Sequence, residues 1–183
     1  MKKIKGIVLL VIGMIFMVGC GCSVNSSATK AVENYLDRYR NHDQVVLNEL
    51  DKYIDNEELT DAQKDIYKDI MKKQYRSLKY TITDEKYDGD NAIITVKITV
   101  YDLYKTQNIA ENYLIENTTE FYDEDNVYDK TLYLDYKLNL MRSTTETVEY
   151  TIDIKLEKQD NTWGIVQLSD TDLEKIHGIY NYE

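Results

Sequence analysis

The chain has 183 residues, 43% of them apolar, with 22 basic against 33 acidic side chains, no proline, two cysteines and two histidines. That composition excludes an acidic disordered tail, a multi-span membrane protein, a disulfide scaffold and a four-thiolate zinc site. One folded domain behind a targeting segment remains.

Lys2, Lys3 and Lys5 open the chain, and Gly6 to Val18 is an uncharged apolar run of thirteen residues. A spanning helix needs roughly 20, so the run is expected to be the core of a signal peptide, with an uncleaved anchor helix as the alternative. Met17, Val18, Gly19 and Cys20 then resemble a bacterial lipoprotein lipobox, with methionine where leucine is usual. Cys22 is the rival site, but Gly19, Cys20 and Gly21 precede it. The resemblance implies cleavage before Cys20, lipidation of its thiol, and attachment to the extracytoplasmic face of the cell membrane. Two or more acyl chains are what stable attachment requires. The expected organisation is a signal peptide over 1–19, the lipidated cysteine with a short tether over 20–27, and a single domain over 28–183. The tether reaches about 25 Å at most.

Removing residues 1–19 takes three lysines and no acid, leaving 19 basic and 33 acidic groups and a charge of −14. A surface of that sign repels phosphate backbones and anionic headgroups, so no nucleic acid is expected as a partner and the lipid must supply the anchor.

From Ala28 the period is helical: Val32, Tyr35, Leu36 and Tyr39 share a face opposite Glu33, Asp37 and Arg38. Asp43 caps a second segment carrying Val46, Leu47, Leu50 and Ile54. Thr60 with Gln63 forms a capping-box pattern ahead of a third helix with Tyr67, Ile70, Met71 and Leu78 on its face. The period then becomes two. Tyr80 and Ile82 open a strand, Asp88 and Gly89 offer a turn, and Ala92, Ile94, Val96, Ile98 and Val100 alternate along a second strand. Thr106 to Met141 reads as two helices broken at the acidic patch Asp123, Glu124 and Asp125, the second presenting Val127, Leu134, Leu138 and Met141. A strand over Tyr133 to Leu140 is the alternative. Val148, Tyr150, Ile152, Ile154 and Leu156 alternate with polar residues, and Asp160–Asn161 turns the chain into a last strand with Trp163 and Ile165. Ser169 or Asp170 caps a final short helix that buries Leu173, Ile176 and Tyr180.

This order predicts an α+β domain: N-terminal helices packed on a curved antiparallel sheet of about four strands, with a helical insertion between two hairpins. The runs AVENYLDRYRNHD, NAIITVKITVYD and YTIDIKLEKQDNTWGIVQLS, behind the lipobox at Cys20, resemble small bacterial lipoproteins with a nuclear transport factor 2-like, or cystatin-like, α+β roll. The resemblance implies a cone of sheet and helices that holds a ligand or forms a homodimer. It transfers no catalytic residues.

No phosphate-binding glycine loop, metalloprotease helix, nucleophile elbow or paired-cysteine metal motif is present. No cofactor and no metal site is expected. His42, at the end of the first helix, and His177, in the last turn of the final one, read as cations at helix C-termini rather than as catalysts. Asp123, Glu124, Asp125 and Asp129 lack the glycine and final glutamate of a calcium loop and read as a solvated turn. Most of the 17 tyrosines read as core. Tyr101, Tyr150 and Trp163 are the candidate pocket lining, because they lie on strands that could form the inner surface of a roll. The expected function is non-catalytic binding of a small ligand or an envelope protein. The alternatives are an enzyme of the ketosteroid-isomerase type, which needs a carboxylate such as Asp102 or Asp153 facing an apolar interior, and a structural partner in the cell envelope.

Overall fold

A computed structural model describes residues 27–183. The signal segment, Cys20, Cys22 and the tether up to residue 26 lie outside the described residues. Helix α1 (Ala28–Arg40) is capped by Ser27, whose Oγ accepts from Lys30 N, and it buries Ala28, Val32, Leu36 and Tyr39 at the expected spacing. Asp43 caps α2 (Gln44–Asp55), and Thr60 and Gln63 close a reciprocal capping box on α3 (Asp61–Ser77). Each device satisfies backbone N–H groups that the first turn of a helix leaves without partners.

Strands β1 (Lys79–Asp88), β2 (Asn91–Tyr101), β3 (Thr147–Gln159) and β4 (Thr162–Ile165) form one curved antiparallel sheet in sequence order. The first hairpin turns on Gly89, at φ 58°, one residue later than expected because Asp88 still pairs with Asn91. Asp160 and Asn161 both take left-handed backbone, at φ 48° and 62°, which matches the right-handed twist of the β3–β4 strands they join. Ile94, Val96, Ile98, Ile152, Ile154 and Leu156 point to the helices and are almost completely buried. Each such side chain contributes about 1.5–3 kcal/mol relative to exposure. The other face is polar: Thr95 Oγ1 donates to Asp153 Oδ1 at 2.7 Å, and Lys97 pairs with Glu149. Among the described residues strand β1 is an edge of the sheet, interrupted by a register shift between Ile82 and Asp84 and followed by Asp84, Glu85 and Lys86.

The insertion between β2 and β3 consists of α4 (Leu103–Glu116), a single 3-10 turn at Thr118–Phe121, and α5 (Lys130–Ser143). Tyr133 to Leu140 is therefore helical, and the strand alternative is excluded. The alternation there masks a helix whose small apolar cluster, Ala110, Phe121 and Tyr133, packs apart from the main core. Val127 is corrected too: it lies before α5 in the loop closed by the Tyr122–Tyr128 bridge, 59% exposed. Ser169 caps α6 (Asp170–His177), which ends on Gly178 in left-handed backbone, so Tyr180 lies beyond the helix and is half-buried. No helix among the described residues is long and apolar enough to cross a membrane.

Candidate functional site: a basic groove at one end of the sheet

Two concavities bear on function. The first lies among Leu50, Tyr53, Tyr67, Met71, Tyr75, Leu173 and His177, with Asp170 and Glu174 near its mouth. Its volume of about 20 Å³ has room for roughly one water molecule, too little for a ligand. His177 is 5% exposed and packs between Tyr39 and Tyr75, with ring centroids 6.4 Å and 5.7 Å away. Its Nε2 has no partner among the described residues. Burial pushes the imidazole down from 6.5 to about 4, so the ring is neutral at pH 7 and the expected cation at the helix end is corrected. Desolvation outweighs the helix dipole, which supplies at most about 2 kcal/mol. The same burial pushes Tyr67 up to about 12 and raises Tyr75 and Tyr39 further. These groups hold their protons and pack as core.

The second is a groove of about 490 Å³, within the range of about 300–1,000 Å³ common for ligand sites. His42, Asp69, Lys72, Lys73, Arg76, Ser77 and Tyr101 line it. Residues 69, 72, 73 and 76 fall at helical spacing on α3, so one helix face supplies three cations and a single carboxylate. Ten of the 19 lysines and arginines among the described residues are in ion pairs, and none of these three is.

The groove is held by specific contacts. Lys73 Nζ donates to Arg142 O at 2.9 Å and Thr144 O at 2.8 Å, a cation on the C-terminal end of α5, and lies 4.6 Å from the centre of the Tyr101 ring. Gln74, 1% exposed, clasps Tyr101 from both sides: its Nε2 donates to Tyr101 O at 3.1 Å, and Tyr101 N donates to its Oε1 at 3.0 Å. Gly178 closes in behind, where a Cβ would stand 2.2 Å from Tyr101 O. His42, in left-handed backbone at φ 53°, donates from Nε2 to Lys72 O at 2.9 Å; a carbonyl can only accept, so Nε2 carries the hydrogen. That bond pins the α1–α2 turn onto α3.

The three side chains expected to line a pocket do not share a cavity. Tyr101 forms a groove wall. Tyr150 is buried opposite Ile98 in the sheet, against Tyr180 and Tyr182. Trp163 lies at the far hairpin end, against Tyr87 and 5.8 Å from Lys158 Nζ. Asp153 faces solvent as the alternation required, whereas Asp102 is buried and caps α4: its Oδ1 accepts from Lys105 N at 2.9 Å and its Oδ2 from Tyr182 Oη at 2.8 Å. The acidic loop is ordered by Asp123 Oδ1, which accepts from Asp125 N and Val127 N. No cluster of three or more His, Cys, Asp or Glu that could hold a metal occurs among the described residues.

Lys72 and Arg76 are the residues that sequence reasoning missed. The signal was present in KKQYR, three cations in five positions within an acidic chain, but net charge averages it away. No protein-family model matches the chain, and neither a curated protein nor a solved structure does.

Proposed function

We propose that the chain is a lipid-anchored extracytoplasmic domain that works by binding, with the groove beside α3 as its binding face. The observation that carries this reading is the groove itself, a concavity whose charge opposes that of the domain around it. Charge of one sign gathered in a cleft raises the local concentration of the opposite ion and speeds its capture.

The course of α1 supports an outward presentation. Its C-terminal end is held near the start of β1, where Tyr80 Oη donates to Asp37 Oδ1 at 3.0 Å and Arg40 lies 5.7 Å from the Tyr80 ring. Lys79 pairs with Thr99, so this is the Tyr101 end of the sheet. The helix also packs on β4, which pairs only at the opposite end. Ser27, where the tether joins, therefore lies about 20 Å from the groove, the length of 13 helical residues. The groove and the point where the tether joins therefore lie at opposite ends of α1, which favours presentation of the groove on the side away from a lipid on Cys20.

Binding is favoured over ketosteroid-isomerase-type chemistry because Asp102, the buried carboxylate, has both oxygens committed to a cap and to Tyr182. His42 is tied to a carbonyl and His177 is sealed among tyrosines, so neither has an oriented acid–base partner among the described residues. One observation favours the structural-partner reading: Ile109, Ile115, Tyr122, Val127, Tyr128 and Leu132 of the insertion are exposed apolar side chains. Kinship with nuclear transport factor 2-like lipoproteins belongs to the same proposal and rests on the order of elements and the Trp163 hairpin.

Mass spectrometry of the mature N-terminus tests the anchor, with a diacylglyceryl Cys20 expected and Cys20→Ala moving the protein out of the membrane fraction. A native polypeptide that begins at Met1 overturns it. Capture of ligand by the anchored protein should be lost in Lys72→Glu/Arg76→Glu. Capture that persists in this variant, and is lost on altering the insertion, would transfer the role to that surface.

A further inference from the structure

We propose that the groove binds a phosphate-bearing ligand that approaches from the side away from the anchoring membrane. The inference rests on the groove being the binding face and adds the chemistry of what it holds. Lys73 is already clamped by two carbonyls and the Tyr101 ring, so its charge is a fixed part of the wall. Lys72 and Arg76 stand one helical turn apart, about 6 Å along α3, without a carboxylate within ion-pair distance among the described residues. Asp69, one turn before Lys73 on the same face, is the only acid among the described residues that line the groove, and it is exposed. The three cations and one carboxylate of the lining therefore sum to two net positive charges.

A single carboxylate supplies one negative charge and leaves an excess of one. A phosphate group carries about −1.5 to −2 at neutral pH and three acceptor oxygens, which matches both the charge and the donors. Arg76 offers a planar fork and Lys72 a point charge, the two modes by which proteins hold phosphate oxygens. The groove's volume of about 490 Å³ accommodates more than a lone phosphate, so the ligand extends beyond its anionic group. Phosphate can belong to a soluble or polymeric ligand or to a lipid headgroup. The first fits the fold, because Ser27 enters at the far end of α1 and the turns nearest the tether carry Asp88, Asp90 and Asp160, which repel anionic headgroups.

The test uses the mature lipidated protein in uncharged detergent micelles and phosphate-free buffer, titrated calorimetrically with sodium tripolyphosphate. Wild type should bind, and Lys72→Gln/Arg76→Gln should weaken binding by at least about tenfold, the lower end for losing one charged hydrogen bond. Asp69→Asn should tighten it, a gain that a misfolded protein cannot give. Lys52→Gln/Lys155→Gln, which removes two cations outside the groove lining, should leave the affinity unchanged. Citrate should bind more weakly than tripolyphosphate. The proposal is overturned if tripolyphosphate does not bind, if the two double variants lose affinity equally, or if citrate competes on equal terms. Flotation with phosphatidylglycerol vesicles is the second arm: co-flotation of the unlipidated Cys20→Ala protein that is abolished by Lys72→Gln/Arg76→Gln would assign the groove to headgroups and refute the approach from outside. A missing lipid on Cys20 with tripolyphosphate binding intact would refute the anchor alone. A captured partner that depends on Lys72 and Arg76, without any phosphate binding, would keep the binding face and refute the ligand.

Discussion

His177 makes stability depend on pH in a way that can be isolated. In the folded chain its ring titrates at about 4, against 6.5 when free, because burial penalises the charged form. Above pH 6.5 both states are neutral and the residue has no effect. Between 6.5 and 4 the unfolded chain takes up a proton that the folded chain refuses, so stability falls with pH and the loss is complete below 4. The full shift corresponds to about 3 kcal/mol, of which about 2 kcal/mol is lost by pH 5. Carboxylates titrate in the same window, so the measurement is a difference: urea unfolding of wild type and His177→Leu at pH 7.5 and pH 5.0. The wild type should lose about 2 kcal/mol more than the variant over this interval. Parallel losses, or an NMR titration of the His177 ring centred near 6.5 in the folded protein, would refute the reasoning.

Gly178→Ala would force a Cβ to within 2.2 Å of Tyr101 O and Gln74 Nε2 at φ 71°, so its thermal midpoint should fall by an amount equivalent to about 3 kcal/mol or more. Gln74→Leu removes both hydrogen bonds of the Tyr101 clasp and should cost about 2–3 kcal/mol in urea unfolding. Asp102→Ala removes the α4 cap and the bond from Tyr182, so carboxypeptidase should trim the C-terminus faster and stability should drop by about 1–2 kcal/mol. Burial and that bond also push the Tyr182 phenol up to about 12, and spectrophotometric titration of the variant should show one tyrosine returning toward 10. Gln63→Ala breaks the bonds from Gln63 Nε2 to Thr131 O and Asp135 Oδ1, and hydrogen exchange should quicken in α5 before α1.

Local chemistry made most of the fold legible. Ser27, Asp43, Thr60 with Gln63, and Ser169 act where their side chains can satisfy nearby backbone groups, and Asp160–Asn161 turns where both residues tolerate left-handed backbone. What stayed hidden depends on distant partners. Tyr133 to Leu140 alternates like a strand, yet its apolar residues are divided between the main core and the Phe121 cluster, which no periodicity announces. His177 looked like a cap because sequence shows the helix end and not the Tyr39 and Tyr75 rings packed over it. The site is the extreme case. Lys72, Arg76 and Tyr101 meet only because α3 and β2 end at the same side of the sheet, a meeting that Gln74 fixes across 27 positions of sequence.

The interruption at residue 83 of β1 governs how copies of the domain behave in a crowd. An uninterrupted ten-residue border would offer a ladder of free amides and carbonyls to any neighbour, and strands of adjacent molecules could zip together end to end. The bulge throws the ladder out of step, and the charges that follow it make each further rung costly to dehydrate. Neighbours that collide along this margin are expected to separate again as individuals.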